Sequence, residues 1–447
     1  MGDHTLEKQI KQRDILSWQE TLAADPLRPM RQNCLAHTDL KQVAIDQSLL
    51  VENRPCFSLE VEGGSILAQN KTGRCWLFSA LNILRVGTIR KQRLKPTFAF
   101  SVNYLNFWDK LEKANLFLER ILEHLEQVPS GDYVRSLLRF PVQEGGQWFM
   151  FRDLVKKYGL VPAEVMPETY AAADSGNLNQ CLNFKLRAGA AELKRLWEGG
   201  ASQQELRAYK ETILEAIYRI LCCTLGTPPR SFRYEYYDRD GQYHILAEQT
   251  PMEYAKSVLD HDLDDYITVA NYPTKDKPFR RVYQIPGHKN MEGGGPALYY
   301  NLEMADIKSM LIRQLQDGEG IWFGCDCMKM MDRQQGVMSR ELYDYEGLFG
   351  VPFHMEKGDM LDFFQSEPNH NMTITGVDLV DGKPTRWKVE NSWGSEVGHG
   401  GFYVMDDSFL EHYAFLFVLH KRCLTPEQLA DLEQTPIPLP SWDPMGI

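Results

Sequence analysis

Apolar residues recur at helical spacing through much of the first half of the chain. The longest pattern runs from residue 104 to residue 125, with charged residues at 109–113 on the opposite face, and predicts an amphipathic helix. A second pattern begins at Trp76 and predicts a helix whose N-terminus lies at or near Cys75. Further helices are predicted over Trp148–Tyr158, ended by Gly159, and within residues 185–225.

The spacing changes from helical to strand-like after residue 320. Short apolar runs at 321–325, 372–380, 386–390, 401–405 and 415–419 alternate with turn signals, of which Asp381-Gly382 is the strongest. Residues 281–285 also predict a strand, whereas the aromatic cluster Tyr234, Tyr236 and Tyr237 fits neither period. Together these patterns predict an α+β protein with a helical half and a β-rich half.

The same patterns divide the chain into five segments. Residues 1–65 are weakly periodic and are expected to pack on a larger core, and residues 66–180 form the helical half. Residues 181–300 are expected to be a large, mainly helical insertion, and residues 301–435 form the β-rich half. Four prolines between residues 436 and 444 predict an extended C-terminal arm over residues 436–447.

Composition and charge exclude several classes of protein. With 43% hydrophobic and 25% charged residues, the 447-residue chain has the composition of a folded globular protein. No stretch is long and apolar enough for a transmembrane helix, and the N-terminus lacks the apolar region of a secretory signal. The nine cysteines indicate reduced thiols in a cytosol. A net charge of −12 disfavours binding to nucleic acid.

Four residues in a fixed order carry the strongest chemical signal: Gln69, Cys75, His370 and Asn391. A thiol at a helix N-terminus beside an imidazole loses its proton readily and becomes a nucleophile toward an amide carbonyl. His370 would hold that proton and deliver it to the leaving amine, while Asn391 would orient the imidazole. The Gln69 side chain and the Cys75 backbone N–H would together form an oxyanion hole.

The segments around these residues resemble those of papain-type cysteine peptidases. Residues 69–76, Gln-Asn-Lys-Thr-Gly-Arg-Cys-Trp, resemble the nucleophile segment, although Thr72 and Arg74 depart from its usual pattern. Residues 390–394, Glu-Asn-Ser-Trp-Gly, resemble the asparagine segment, in which a tryptophan, here Trp393, shields the His–Asn hydrogen bond from water. His370 lies 295 positions after Cys75. Papain-type enzymes have about 130–150 between these residues, so roughly 150 are extra.

Longer runs narrow the resemblance to the bleomycin hydrolase and bacterial aminopeptidase C family. The similar segments are residues 107–115, 145–148, 337–350 and 442–446. The resemblance implies a papain-like two-part fold and a cysteine aminopeptidase of broad specificity, acting on peptides through a thiol acyl-enzyme. It also implies a cytoplasmic homohexamer with active sites facing an inner cavity, an insertion at 181–300 used in oligomerisation, and no cofactor or metal.

Substrate binding is expected to involve both the arm and a pair of glycines. The resemblance implies that the arm lies in the active-site cleft and that its terminal carboxylate, here that of Ile447, binds the free amine of the substrate. Gly145 and Gly146 are expected to line the cleft, where the absence of side chains lets a substrate backbone approach. A plain turn is the other interpretation of the glycine pair.

Two further functions stay open on the sequence alone. The arm ends at Ile447, directly after Gly446, and is shorter than the tail that the resemblance implies, which motivates an endopeptidase with an open cleft. An oligomeric shell or nucleic-acid binder is a third hypothesis, opposed by the acidic charge and by the absence of a clustered basic run. A structural zinc site at Cys325 and Cys327 is disfavoured because no second pair has zinc spacing, and His399 is interpreted as a loop residue.

Overall fold

Helices and strands follow one another in the predicted order in the computed structural model, which describes residues 8–446. In chain order, the helices are α1 (Gln12–Ala23), α2 (Arg28–His37), α3 (Leu40–Ala44), α4 (Gln47–Glu52), α5 (Cys75–Gln92), α6 (Val102–Glu123), α7 (Asp132–Arg139), α8 (Trp148–Tyr158), α9 (Tyr170–Ala173), α10 (Gly176–Glu198), α11 (Gln203–Leu225), α12 (Pro251–Val258), α13 (Met304–Gln316), α14 (Tyr345–Phe349), α15 (Lys357–Asp362), α16 (Asp407–Tyr413) and α17 (Pro426–Asp431).

The strands complete an α+β fold, as predicted. In chain order, they are β1 (Leu59–Glu60), β2 (Phe232–Tyr237), β3 (Tyr243–Gln249), β4 (Tyr266–Ala270), β5 (Arg281–Gln284), β6 (Leu298–Asn301), β7 (Ile321–Cys325), β8 (Met331–Asp332), β9 (Val337–Met338), β10 (His370–Val380), β11 (Lys383–Glu390), β12 (Phe402–Asp406), β13 (Ala414–His420) and β14 (Ile437–Pro438).

The described residues divide into two units. The smaller unit comprises residues 8–52 and 341–355, and its two segments pair through a bridge between Ile45 and Tyr343. The larger unit comprises residues 53–340 and 356–446. It contains every residue predicted for the active site except Ile447, which lies outside the described residues.

One large sheet runs through the larger unit, in the order β14-β5-β6-β4-β13-β7-β10-β11-β12-β9-β8, and β1 adds to β10. Its central strands are buried: β7 and β13 are covered along almost their whole length. β10 pairs antiparallel with β11, so that the start of β10 lies beside the end of β11. This pairing brings residue 370 and the residue that follows β11 to the same end of the hairpin.

Helix α5 packs against this sheet and supplies part of its core. Trp76 and Leu77 are fully buried, and the indole N–H of Trp322 in β7 donates to the carbonyl of Trp76 at 3.3 Å. The hydroxyl of Ser79 donates to the carbonyl of Met372 in β10 at 2.6 Å. These contacts fix the N-terminus of α5 next to the start of β10.

The region 181–300 contains both helices and strands. Helices α10 and α11 match the prediction for residues 185–225, and the aromatic cluster that fitted neither period forms the hairpin β2–β3. Strands β4, β5 and β6 then join the large sheet; the sequence predicted only β5. Val269, Tyr299 and Tyr300 are buried, so these strands show no alternation of apolar and polar residues.

The C-terminal arm begins with a short extended segment that pairs with the strand β5. Strand β14 pairs parallel with β5, and the Tyr272 hydroxyl donates to the carbonyl of Pro444 at 3.0 Å. Lys277 and Asp443 form an ion pair at 3.1 Å with both side chains about 5% exposed, and Met445 is fully buried. The arm therefore has a defined path as far as residue 446.

Candidate active site

Cys75 is the first residue of α5, where the N–H groups of the first helical turn are free to favour a negative charge. The preceding Arg74 is 2% exposed, and its guanidinium makes paired hydrogen bonds to Glu168 at 3.0 and 2.9 Å. Its Nε donates to the Thr72 hydroxyl at 3.0 Å. Arg74 and Thr72, the two departures from the papain-type pattern, thus hold the backbone that leads into Cys75.

His370 and Asn391 lie together at one end of the β10–β11 hairpin. His370 begins β10, and Asn391 directly follows β11. The His370 Nε2–H donates to Asn391 Oδ1, with 2.9 Å between the two atoms. Because Nε2 is engaged in this bond, Nδ1 is the ring nitrogen available to the thiol of Cys75.

Cys75 and His370 are buried together, and each affects the ionisation of the other. Burial acts to raise the pKa of Cys75, but the charge and hydrogen bond of His370 and the backbone N–H groups of Asn371 and Trp76 hold that pKa below its ordinary value. Burial acts to lower the pKa of His370, but Cys75 and the Asn391 hydrogen bond hold that pKa above its ordinary value. These shifts favour a thiolate–imidazolium pair.

Trp393 stacks on the imidazole of His370, with 4.8 Å between ring centroids and 28° between planes. The guanidinium of Arg333 lies 4.8 Å from the centroid of the Trp393 ring. A stacked indole keeps water away from the imidazole–amide hydrogen bond, and in a drier surrounding that bond is stronger. This is the contact that the shielding role predicted for Trp393 requires.

Gln69 is held close to Asn391 by the intervening Ser392. The Ser392 hydroxyl donates to Gln69 Oε1 at 2.6 Å, and the Gln69 backbone N–H donates to the Ser392 carbonyl at 2.7 Å. Gln69 Nε2 donates to the carbonyl of Thr72 at 2.6 Å. An amide nitrogen carries two hydrogens, so one remains for a substrate oxygen, and the oxyanion role of Gln69 stays a prediction.

Gly145 and Gly146 lie beside the nucleophile loop. The Gly145 N–H donates to the carbonyl of Gly73 at 3.0 Å, and the Gly73 N–H donates to the Glu144 carboxylate at 2.6 Å. Gly145 has φ +91° and open space where a side chain would point. A Cβ on Gly146 would lie 2.8 Å from the indole of Trp76, so only glycine fits there. Their contact with substrate stays a prediction.

One residue of the site was missed in the sequence. Asn371 Nδ2 donates to Cys75 Sγ at 3.8 Å, and the backbone N–H of Asn371 also lowers the pKa of Cys75. The only signal is its position directly after His370, and that signal carries no information about where its side chain points.

The remaining candidates have no part in this cluster's hydrogen bonds or lie outside the described residues, although Cys325 is paired in register with His370 across β7 and β10. Among residues 8–446, no group of three or more His, Cys, Asp or Glu side chains is arranged to hold a metal ion. Burial raises the pKa of Cys325 well above its ordinary value, which makes its thiol unreactive. His399 lies in a loop bridge with Phe402, and no helix in the described chain has the length and hydropathy to cross a bilayer. Ile447 lies outside the described residues.

The assembled residues provide a thiolate, an imidazolium positioned to give up its proton, and an amide near the nucleophile loop. These are the parts needed for acyl transfer from an amide to sulfur. The fold is required to assemble this site, because its residues are far apart in the sequence. Cys75 begins α5 in the helical half, whereas His370 begins β10 and Asn391 follows β11 in the β-rich half.

Comparison with known proteins gives full-length matches. The profile of the Peptidase C1-like family matches residues 9–446. Aminopeptidase C of Lactobacillus delbrueckii subsp. lactis is 40% identical over 446 residues, 99% of each chain, and human bleomycin hydrolase is 36% identical, with 96% of each chain covered. The crystal structure of PepW from Lactobacillus rhamnosis HN001 is 39% identical, covers 99% of both chains and superposes with a TM-score of 0.95.

Proposed function

The chain belongs to the Peptidase C1-like family and is a cysteine-type peptidase, and we propose that it removes N-terminal residues from peptides as a cysteine aminopeptidase. Relatives named aminopeptidase C and bleomycin hydrolase, 36–40% identical over nearly the whole chain, support this activity. The observation that carries the reaction type is the 2.9 Å hydrogen bond between His370 and Asn391, which turns the other ring nitrogen toward the buried thiol of Cys75.

Acylation follows from the charges of this pair. The Cys75 thiolate attacks the carbonyl carbon of the first peptide bond, a C–S bond forms, and negative charge moves to the carbonyl oxygen. The Gln69 side chain and the Cys75 N–H are the donors expected to stabilise that oxygen. The His370 imidazolium gives its proton to the amide nitrogen, the C–N bond breaks, and the shortened peptide leaves as an amine.

Deacylation reverses these roles. A water molecule loses a proton to the neutral imidazole of His370 while its oxygen attacks the thioester carbon. The C–S bond then breaks, releasing the amino acid and restoring the thiolate–imidazolium pair. Asn391 holds the imidazole orientation in both steps, because a ring that turned away would neither give nor accept the proton.

The path of the C-terminal arm supports selection of a free N-terminus. Gly446 lies against His288, and the His288 ring contacts Phe149 at 5.4 Å between centroids. Phe149 lies in the first turn of α8, directly after the segment with Gly145 and Gly146. These contacts support an arm that narrows the cleft on the side of the glycine pair, where the substrate N-terminus would lie. In the same proposal, the Ile447 carboxylate binds the free amine of the substrate and so selects peptides with an unblocked N-terminus.

We further propose that the protein is cytoplasmic and acts as a homohexamer on peptide substrates, without nucleic acid or a membrane as partner. Four free cysteines are exposed, namely Cys34, Cys56, Cys181 and Cys223, which supports a reducing compartment. The hexamer rests on the family resemblance alone. Sedimentation equilibrium should give about 310 kDa, six chains of 51.6 kDa, whereas a species of one chain's mass would contradict the hexamer.

The aminopeptidase assignment is tested with two peptides that differ only in acetylation of the N-terminus. The free peptide should be shortened stepwise from its N-terminus. The kcat/KM for the acetylated peptide should be at least about 100-fold lower, since each 1.4 kcal/mol of lost binding free energy lowers it tenfold. Equal internal cleavage of both peptides would instead indicate the endopeptidase alternative.

A variant that ends at residue 435 provides the matched control. It lacks the arm but keeps Cys75, His370 and Asn391, so the chemistry should survive while the cleft opens. We expect it to cleave the acetylated peptide, with folding checked by thermal unfolding because Met445 is buried in the intact protein. If the shortened chain is folded, active and still restricted to free N-termini, the arm is not the selecting element.

A further inference from the structure

A cavity of about 490 Å³ lies beside the active site on the side of Trp393. Its walls include Asn70 and Lys71 from the nucleophile loop, Tyr170 and Asp174 from the α9 segment, and Arg333. The cavity has the volume of a pocket for a small ligand or a short piece of peptide. None of these wall residues takes part in the bond-making steps described above.

The reaction geometry determines which part of a substrate would reach this cavity. His370 must deliver its proton to the leaving nitrogen, so the departing peptide lies on the imidazole side of Cys75. Trp393 stacks on that imidazole and also lines the cavity. The fragment after the cleaved bond therefore passes over Trp393 toward the cavity, while the acyl part stays on the side of Gly145 and Gly146.

The cavity is lined by more cations than anions, whereas the whole chain is acidic. The guanidinium of Arg333 lies over the Trp393 ring, 4.8 Å from its centroid, and Arg333 also lines the cavity. Lys71 is 83% exposed and lies 3.7 Å from Asp174, a loose pair. Two cations against one anion leave the cavity positive, in a chain whose net charge is −12.

Aromatic surface completes the site. The Tyr170 side chain is 84% exposed and lines the cavity. Together with Trp393, which also lines the cavity, Tyr170 offers apolar surface for the body of a side chain, and the cations are available to its end. A planar guanidinium already held against an indole loses little freedom when it pairs with a carboxylate.

Resting on the proposed function, we infer that this cavity binds the leaving fragment of the substrate and favours fragments that carry a carboxylate. The carboxylate is either the C-terminus of a dipeptide or tripeptide, or the side chain of Asp or Glu after the cleaved bond. Arg333 pairs with it, Lys71 adds positive charge, and Asp174 weakens the preference by repulsion.

Four dipeptide substrates with a free N-terminus test the preference and separate the two sources. Leu-Ala is compared with Leu-Ala-amide for the terminal carboxylate, and Leu-Glu-amide is compared with Leu-Gln-amide for the side chain. We expect a preference in kcat/KM of about fivefold or more for the carboxylate member of at least one pair. Raising the salt concentration from about 0.05 M to about 0.5 M should reduce this preference.

Charge variants then identify the residues responsible, with the ratio of rates within a pair as the readout. Arg333→Gln should bring the ratio close to one, and Asp174→Asn should increase it, since removal of the anion strengthens the positive field. Lys383→Gln removes an exposed cation at the start of β11 and is the matched control, with an unchanged ratio. A ratio within a pair cancels any general effect of a variant on catalysis.

The outcomes separate this inference from the proposed function. If all four peptides are cleaved at equal rates, or if the preference survives Arg333→Gln, the carboxylate site is wrong while the aminopeptidase remains. If none of the four is cleaved, the proposed function fails and the inference fails with it. A preference that Arg333→Gln removes and Asp174→Asn enlarges supports the site.

Discussion

Arg85 and Glu390 form a buried ion pair that joins the helix of the nucleophile to the strand that leads into Asn391. Nη2 of Arg85 and Oε1 of Glu390 are 3.1 Å apart, and neither side chain is more than 2% exposed. Asn82, on the same helix, donates to the same carboxylate oxygen at 2.9 Å. The positions of Cys75 and Asn391 are therefore linked by contacts that involve neither residue directly.

Arg85→Met should destabilise the fold strongly at alkaline pH, because Glu390, ionised above about pH 7 in the wild type, is then left buried without its cation. We expect a loss of about 3–5 kcal/mol in the free energy of unfolding, measured by urea titration. A variant with methionine at both positions should recover much of that loss, since no buried charge remains. If the single variant loses under about 1 kcal/mol, the pair does not hold the two elements together.

The raised pKa of Glu390 should make the stability of the fold depend on pH. Burial raises the pKa of Glu390 to about 7 against an ordinary value of 4.5, although Arg85 and Lys388 act in the opposite direction. A carboxyl with a raised pKa stabilises the folded state fully below the unfolded value, and this contribution is lost as the pH rises through 7. Relative to Glu390→Gln, the wild type should lose about 3 kcal/mol between about pH 4 and about pH 8. Parallel curves for the two proteins would contradict the assignment.

The motifs for Cys75, His370 and Asn391 could be recognised from the sequence because each is local. A nucleophile at a helix start, a histidine before a strand and an asparagine before Ser-Trp-Gly are readable over a few residues. The Arg85–Glu390 pair was not foreseeable, because its partners are separated by 305 positions and nothing in either segment identifies the other.

The strands between residues 266 and 301 were largely missed for a different physical reason. β4 and β6 are buried on both faces, so the alternation that reveals a half-exposed strand is absent. By contrast, α6 has a charged face and an apolar face, and its observed bounds, Val102–Glu123, are close to the predicted range. Periodicity therefore predicts half-exposed helices and strands more reliably than fully buried ones.

Asn371 should tune the acidity of the nucleophile. Its Nδ2 donates to Cys75 Sγ at 3.8 Å, and a donor to sulfur stabilises the thiolate. Asn371→Leu removes this donor, so the pKa of Cys75 should rise and the acid limb of the kcat/KM profile should move to higher pH. Asn371→Asp places a carboxylate beside the thiolate and should move the acid limb to still higher pH. Unchanged profiles for both variants would show that the side chain has no electrostatic role.

Glu144 should stabilise the segment that carries Gly145 and Gly146. Burial acts to raise the pKa of Glu144, but Lys110, the Gly73 N–H and further hydrogen bonds lower it to about 2. Since this pKa is below the ordinary value of 4.5, the stabilisation is present above pH 4.5 and is lost as the pH falls through 2.

Glu144→Gln should therefore lower the free energy of unfolding by about 2 kcal/mol at neutral pH. The full pKa shift corresponds to more, but the side chain is 20% exposed and solvent weakens the interaction. Near pH 2 the variant and the wild type should be equally stable. A loss of the same size at both pH values would mean that the variant acts through packing and not through charge.

Hydrolysis of leucyl-arylamide by Cys75→Ala tests the central claim most directly, with Cys223→Ala, an exposed cysteine, as the matched control. Cys75→Ala removes the only atom that can form the acyl-enzyme, so kcat should fall by at least about 10⁴-fold while the melting temperature changes little. Cys223→Ala should keep the wild-type rate. Turnover by a folded Cys75→Ala variant at a rate near that of the wild type would contradict the assignment of Cys75 as the nucleophile.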